Sequence, residues 1–107
     1  MLNLVGKLAI VRSKTFLDRF LLVYVTKETP KSITVRHWNK RAIDWERETR
    51  RNDKEIVKIL HNQAETVSAD QLNRLAHRME SIEANIQERI RNTKLALVQD
   101  MQKVELK

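Results

Sequence analysis

Apolar residues change their spacing once along this chain, and the change falls at Arg51. Before it they alternate with period 2; after Asn52 they recur every three or four positions. Strand side chains alternate and helical ones return every 3.6 residues, so the chain reads as β structure followed by α structure. Charge changes at the same place. Residues 1–51 carry 12 Lys and Arg against 5 Asp and Glu, and residues 52–107 carry 9 against 9, so the whole net charge of +7 lies in the first segment. The expectation is an α+β protein: a small antiparallel β-meander or barrel, basic, over 1–51, then a neutral helical hairpin and oligomerisation arm over 52–107.

At 107 residues the chain holds one small domain, or a mini-domain with an arm, and no large ligand cavity. It has no cysteine, which excludes disulfides, thiolate metal sites and cysteine nucleophiles. The start lacks a basic leader and Lys7 interrupts it, making it a poor secretory signal. The longest apolar run, residues 20–25, is far shorter than the roughly 20 residues a membrane span needs. A cytoplasmic protein with no membrane partner is expected.

Residues 7–12, 19–26, 32–38 and 41–47 read as strands, rich in Val, Ile, Thr and aromatics and separated by polar breaks. Pro30 marks one turn, and Asn39 with Lys40 another. Residues 20–25 are apolar on both faces, as suits a central strand. In the third strand Ile33, Val35 and His37 share one face, and Thr34, Arg36 and Trp38 the other. Trp45 is then expected in the core and Trp38 outside beside Arg36.

The run Ile33-Thr34-Val35-Arg36-His37-Trp38, a turn, and Ile43-Asp44-Trp45-Glu46-Arg47-Glu48-Thr49-Arg50 resembles the strand, turn, strand and charged exit of small phage-encoded β proteins of unassigned function, some with SH3-like barrels. The resemblance covers about a sixth of the chain. It implies a compact β-module in a phage or mobile-element protein and brings no catalytic motif.

In the second half, Asn52 stands three residues before Glu55 and ahead of Ile56, Val57, Ile59 and Leu60, so a helix is expected from Asp53. A stronger signal is Ser68 with Gln71, where Ser68 caps, Gln71 reaches back, and Val67 staples on Leu72; a second helix should begin at Ala69. Leu72, Leu75, Met79, Ile82, Ile86, Ile90, Thr93, Leu97, Met101 and Val104 form one stripe along it with an eleven-residue repeat of coiled-coil character. Such a helix would be roughly 55 Å long. Its apolar stripe would outrun any cover, so Ile86, Ile90, Leu97, Met101 and Val104 are expected to form a homo-oligomer interface.

No enzyme, cofactor or metal is expected. His37, His61 and His77 have no local histidine partner, and His77 with Glu80 runs opposite to the Glu-x-x-His order of carboxylate di-iron bundles. Glu80 and Glu83 lie among arginines as a salt-bridged helix face would have them. The basic half points to nucleic acid, DNA or RNA, with Arg36, Trp38, Lys40, Arg41, Arg47, Arg50 and Arg51 as the contact set: cations for phosphates and Trp38 for base stacking. The function expected is thus a non-catalytic nucleic-acid-binding oligomer in a regulatory or phage host-takeover role. The alternative is a protein-interaction module, a small inhibitor or adaptor, on an acidic host protein.

Overall fold

A computed structural model describes residues 4–13, 19–88, 98 and 101–104, the side chains of 84–88 excepted. The elements are β1 (Lys7–Arg12), β2 (Phe20–Glu28), β3 (Ser32–Asn39), β4 (Asp44–Trp45) and β5 (Thr49–Asn52), a 3-10 turn (Asp53–Glu55), β6 (Ile56–Gln63), a second 3-10 turn (Ala64–Thr66), and α1 (Ala69–Glu88). The strands form one antiparallel sheet in the order β4-β3-β2-β1-β6, with β5 also pairing β3. The outer edge of β3 is shared between its two partners. Trp38 and Asn39 face β4, while residues 32–35 face β5.

Alternation along β2 sends one set of side chains to each face of the sheet, and both sets are apolar, as a central strand requires. On one face Val23 and Val25 pack with Ala9, Val11, Ile33 and Val35, flanked by Ile56 and Ile59. On the other, Phe20 and Leu22 pack with Leu8, Ile10 and Trp38 under Leu72, Leu75 and Met79 of α1. Each such side chain contributes about 1.5–3 kcal/mol when taken fully from water.

The sheet curls strongly. In a flat sheet β5 would lie three strand spacings from β1, about 14 Å at 4.8 Å per strand. Yet Arg51 of β5 donates from its guanidinium to the Arg12 carbonyl at 2.6 Å, and to Glu55 Oε2 at 2.9 Å. The sheet must bend until β5 comes within one side chain of the end of β1. The 3-10 turn then delivers the chain directly into β6, whose Ile56 pairs with Val11.

This architecture overturns the helical hairpin, the coiled coil and the long C-terminal helix. Asn52 and Glu55 do make the reciprocal capping bonds, but around a three-residue 3-10 turn. The apolar positions after it have helical spacing, and register shifts against β1 let a strand carry them with Ile56 and Ile59 on one face and Val57 and Leu60 on the other. β-branched Ile56, Val57 and Ile59 beside the open edge of β1 settle the segment as β6. The second start signal does open a helix: Gln71 N donates to Ser68 Oγ at 3.2 Å and Ser68 N to Gln71 Oε1 at 3.1 Å. That helix is α1, 20 residues and about 30 Å long.

A single straight helix would carry Met101 about 33 Å beyond Met79. Instead Met101, 0% exposed, and Val104, 1% exposed, lie in the same cluster as Met79 and Leu8. Lys58 Nζ donates to the Gln102 carbonyl at 2.6 Å, tying this segment to β6. Both side chains therefore serve the chain's own core. Of the other expected oligomer contacts, the Ile86 side chain, Ile90 and Leu97 lie outside the described residues.

Candidate nucleic-acid interface

Strand register gathers cations at one end of the sheet. Arg12 pairs with Phe20, and Val23 with His37, so the end of β1, the start of β2 and the end of β3 lie side by side. Arg12, Arg19, Lys40 and Arg41 mark that end. Between it and α1 runs a cleft of about 390 Å³. Phe20, Trp38 and Met79 give it an apolar floor; Arg19, Lys40 and Arg41 stand on one side, Glu80 and Glu83 of α1 on the other.

The turn after β3 fixes the two adjacent cations. Asn39 Oδ1 accepts from the backbone N–H groups of Arg41 at 3.0 Å and Ala42 at 3.1 Å, and the Asn39 carbonyl accepts from Ile43 N at 2.8 Å. An Asn side chain that captures the backbone ahead of it turns the chain instead of extending it. Residues 41–43 are accordingly a turn, and Ile43 adopts a left-handed φ of 54°.

Across the cleft, Lys40 forms an ion pair with Glu80. Glu80 Oε2 also lies 3.8 Å from His77 Nδ1. Glu83 Oε1 accepts from Phe20 N at 3.0 Å, which ties α1 to the start of β2. Burial raises the Glu83 carboxyl above its ordinary value of 4.5, opposed by that hydrogen bond and by the charges of Arg19 and Lys40. Burial lowers His37 from 6.5, with Glu46 pulling upward and Arg51 adding to the depression. The arrangement can hold an anion at its rim. Among the described residues no group of three His, Cys, Asp or Glu could hold a metal ion.

The seven residues expected to bind nucleic acid separate. Trp38 is 9% exposed, and its indole Nε1 donates to Asn73 Oδ1 at 2.6 Å, so its ring packs under α1 and leaves little surface on the cleft floor for a base to stack on. The strand parity was legible; the helix that covers this face was not. Trp45, expected inside, is half-buried, edge to face with Trp38 at 5.1 Å. Arg36 donates from Nε to the Glu46 carbonyl at 2.7 Å and from Nη2 to the Trp45 carbonyl at 3.1 Å, holding the β4 segment. Arg51, 7% exposed, closes the curl of the sheet. Lys40 and Arg41 reach the cleft; Arg47 is exposed between β4 and β5, and Arg50 is exposed and donates to Ser32 Oγ at 3.3 Å. Arg12 and Arg19, far from this tract in sequence, join Lys40 and Arg41 only through the pairing of β1, β2 and β3.

Comparison with known proteins gives no match to any family model, curated protein or solved structure. Among the described residues no helix is long and apolar enough to cross a membrane.

Proposed function

We propose that this chain binds nucleic acid without catalysis, using the basic end of the sheet as a phosphate-contacting rim. The observation that carries this reading is the convergence of Arg12, Arg19, Lys40 and Arg41 at one end of three neighbouring strands, with Arg19, Lys40 and Arg41 lining one cleft. Cations on adjacent strand ends meet neighbouring phosphates and release their counterions, which gives affinity without sequence reading. Glu80 and Glu83 repel phosphate from the depth of the cleft, so the backbone runs along the rim. With Trp38 inside the protein, base stacking on it is not part of the binding. A binder of this kind acts in the cytoplasm, in a regulatory setting.

The test is a titration with random single- and double-stranded oligonucleotides at several salt concentrations. Three or four phosphate contacts predict a slope of log K on log salt of about −2 to −3 for single strands and about −3 to −4 for duplex. Failure to bind either, with capture of an acidic protein instead, would transfer the basic rim to a protein partner.

A further inference from the structure

At the other end of β1 lies a second cleft, of about 360 Å³, lined by Gly6, Tyr24, Trp45, Gln63, Ala64 and Glu65. Its chemistry is the reverse of the first. The two rings meet edge to face, centroids 4.6 Å apart at 72°, and Trp45 is braced from behind by Trp38 at 5.1 Å. Trp38 is in turn pinned by Asn73, so the aromatic wall is set before any ligand arrives.

Gly6 brings the opposite wall close. Its φ of +86° is a left-handed conformation that glycine adopts without penalty. In that conformation its N–H donates to the Val25 carbonyl at 2.7 Å, while its own carbonyl accepts from Ala64 N at 2.8 Å. A Cβ there would stand 2.5 Å from Gln63 Oε1. This approach seats the second 3-10 turn, with Glu65, against the aromatic pair.

In a chain of net charge +7 this cleft is lined, among the described residues, by one charged side chain, and that one is a carboxylate. Arg36 sits opposite Tyr24 in register, but its guanidinium turns to the carbonyls of Glu46 and Trp45 and does not line the cleft. Aromatic faces carry negative potential and attract cations, most strongly where water is partly excluded. A carboxylate beside them adds charge complementarity, and an amide adds an acceptor.

We propose that this cleft binds an alkylammonium group, the lysine side chain of a partner peptide, with methylation of its nitrogen strengthening the contact. Methyl groups lower the hydration of the ammonium and spread its charge over a surface that fits aromatic rings. The site is separate from the phosphate-contacting rim and does not depend on it.

The test is a titration of the full chain, followed by the indole N–H resonances, with the Nα-acetylated amides of lysine, Nε-trimethyl-lysine and the uncharged norleucine, and with tetramethylammonium. The trimethylated amide should shift the Trp45 resonance and bind about tenfold tighter than norleucine amide, with lysine amide between them. Glu65→Gln, at an exposed position, should weaken the cations several-fold and leave norleucine amide unchanged; Trp45→Leu, followed through the remaining Trp38 indole N–H, should remove the preference for the trimethylated amide over norleucine amide. Equal binding of charged and neutral amides, an unaltered Glu65→Gln, or no shift at about 10 mM of any amide would overturn the proposal. Binding of tetramethylammonium without the lysine amides would overturn the side-chain source.

Discussion

The indole Nε1 of Trp38 and the Oδ1 of Asn73, 35 positions apart in the chain, meet at 2.6 Å. This bond joins β3 to α1 in the middle of an otherwise apolar layer. It also decides what Trp38 is for, because a buried donor that already has its acceptor is a structural group. Asn73→Ala leaves the indole N–H unpaired and should lower unfolding free energy by about 1–3 kcal/mol. Urea unfolding reads the loss, and Trp38→Phe, which needs no acceptor, should make Asn73→Ala much less damaging.

Arg51 should behave as a fold residue. Arg51→Ala removes donors to the Arg12 carbonyl and to Glu55, at a cost of about 1.5–3 kcal/mol in the same assay. Any weakening of oligonucleotide binding should disappear under conditions where the variant is fully folded.

Ile43 is a β-branched residue at a left-handed φ of 54°, with 55% of its surface exposed. Its side chain gains little from packing and its backbone is strained by about 1–2 kcal/mol. Ile43→Asn should therefore raise the unfolding free energy by about 1 kcal/mol, seen as a higher urea midpoint. An unchanged midpoint would count against the turn geometry that positions Arg41.

Glu83 and His37 act on stability with opposite signs. Burial raises the folded-state pKa of Glu83, so the folded chain holds that proton more tightly than the unfolded chain. Its contribution is present at low pH and is lost as pH rises above 4.5 through the raised value. Glu83→Gln retains an acceptor for Phe20 N and should gain on the native chain across that interval. Burial depresses His37, so its protonation favours the unfolded state and stability falls as pH drops below 6.5 toward the lowered value. His37→Gln should flatten that second limb. Unfolding midpoints across pH for the three chains separate the two effects.

What was legible in the sequence follows the range of the interactions involved. Residues 7–12 and 32–38, rich in β-branched residues and bounded by polar breaks, read as strands, and β1 and β3 lie there. The double-sided apolar run of β2 predicted its central place, and the Ser68–Gln71 cap predicted the start of α1. The segment after Asn52 failed because its cap was genuine and its apolar spacing helical; only the open edge of β1, a distant partner that pairs with it through register shifts, makes it β6. Residues 41–47 form a strand only at β4, Asp44–Trp45, because Asn39 captures the backbone of Arg41 and Ala42 and turns the chain first. The site divided for a related reason. Charge alone does not distinguish an arginine that closes a curled sheet, such as Arg51, from one at a rim, such as Arg41.

The central claim is that the Arg12, Arg19, Lys40 and Arg41 end of the sheet meets phosphate. The most direct measurement compares the salt dependence of single-strand binding for the native chain, the Arg19→Gln/Arg41→Gln double variant, and Arg50→Gln, which lies opposite Thr34 away from that end. The double variant should lose affinity at every salt concentration and flatten the slope of log K on log salt by about 0.7 per contact removed, while Arg50→Gln keeps the native slope. Equal slopes for the native chain and a folded double variant would contradict the claim.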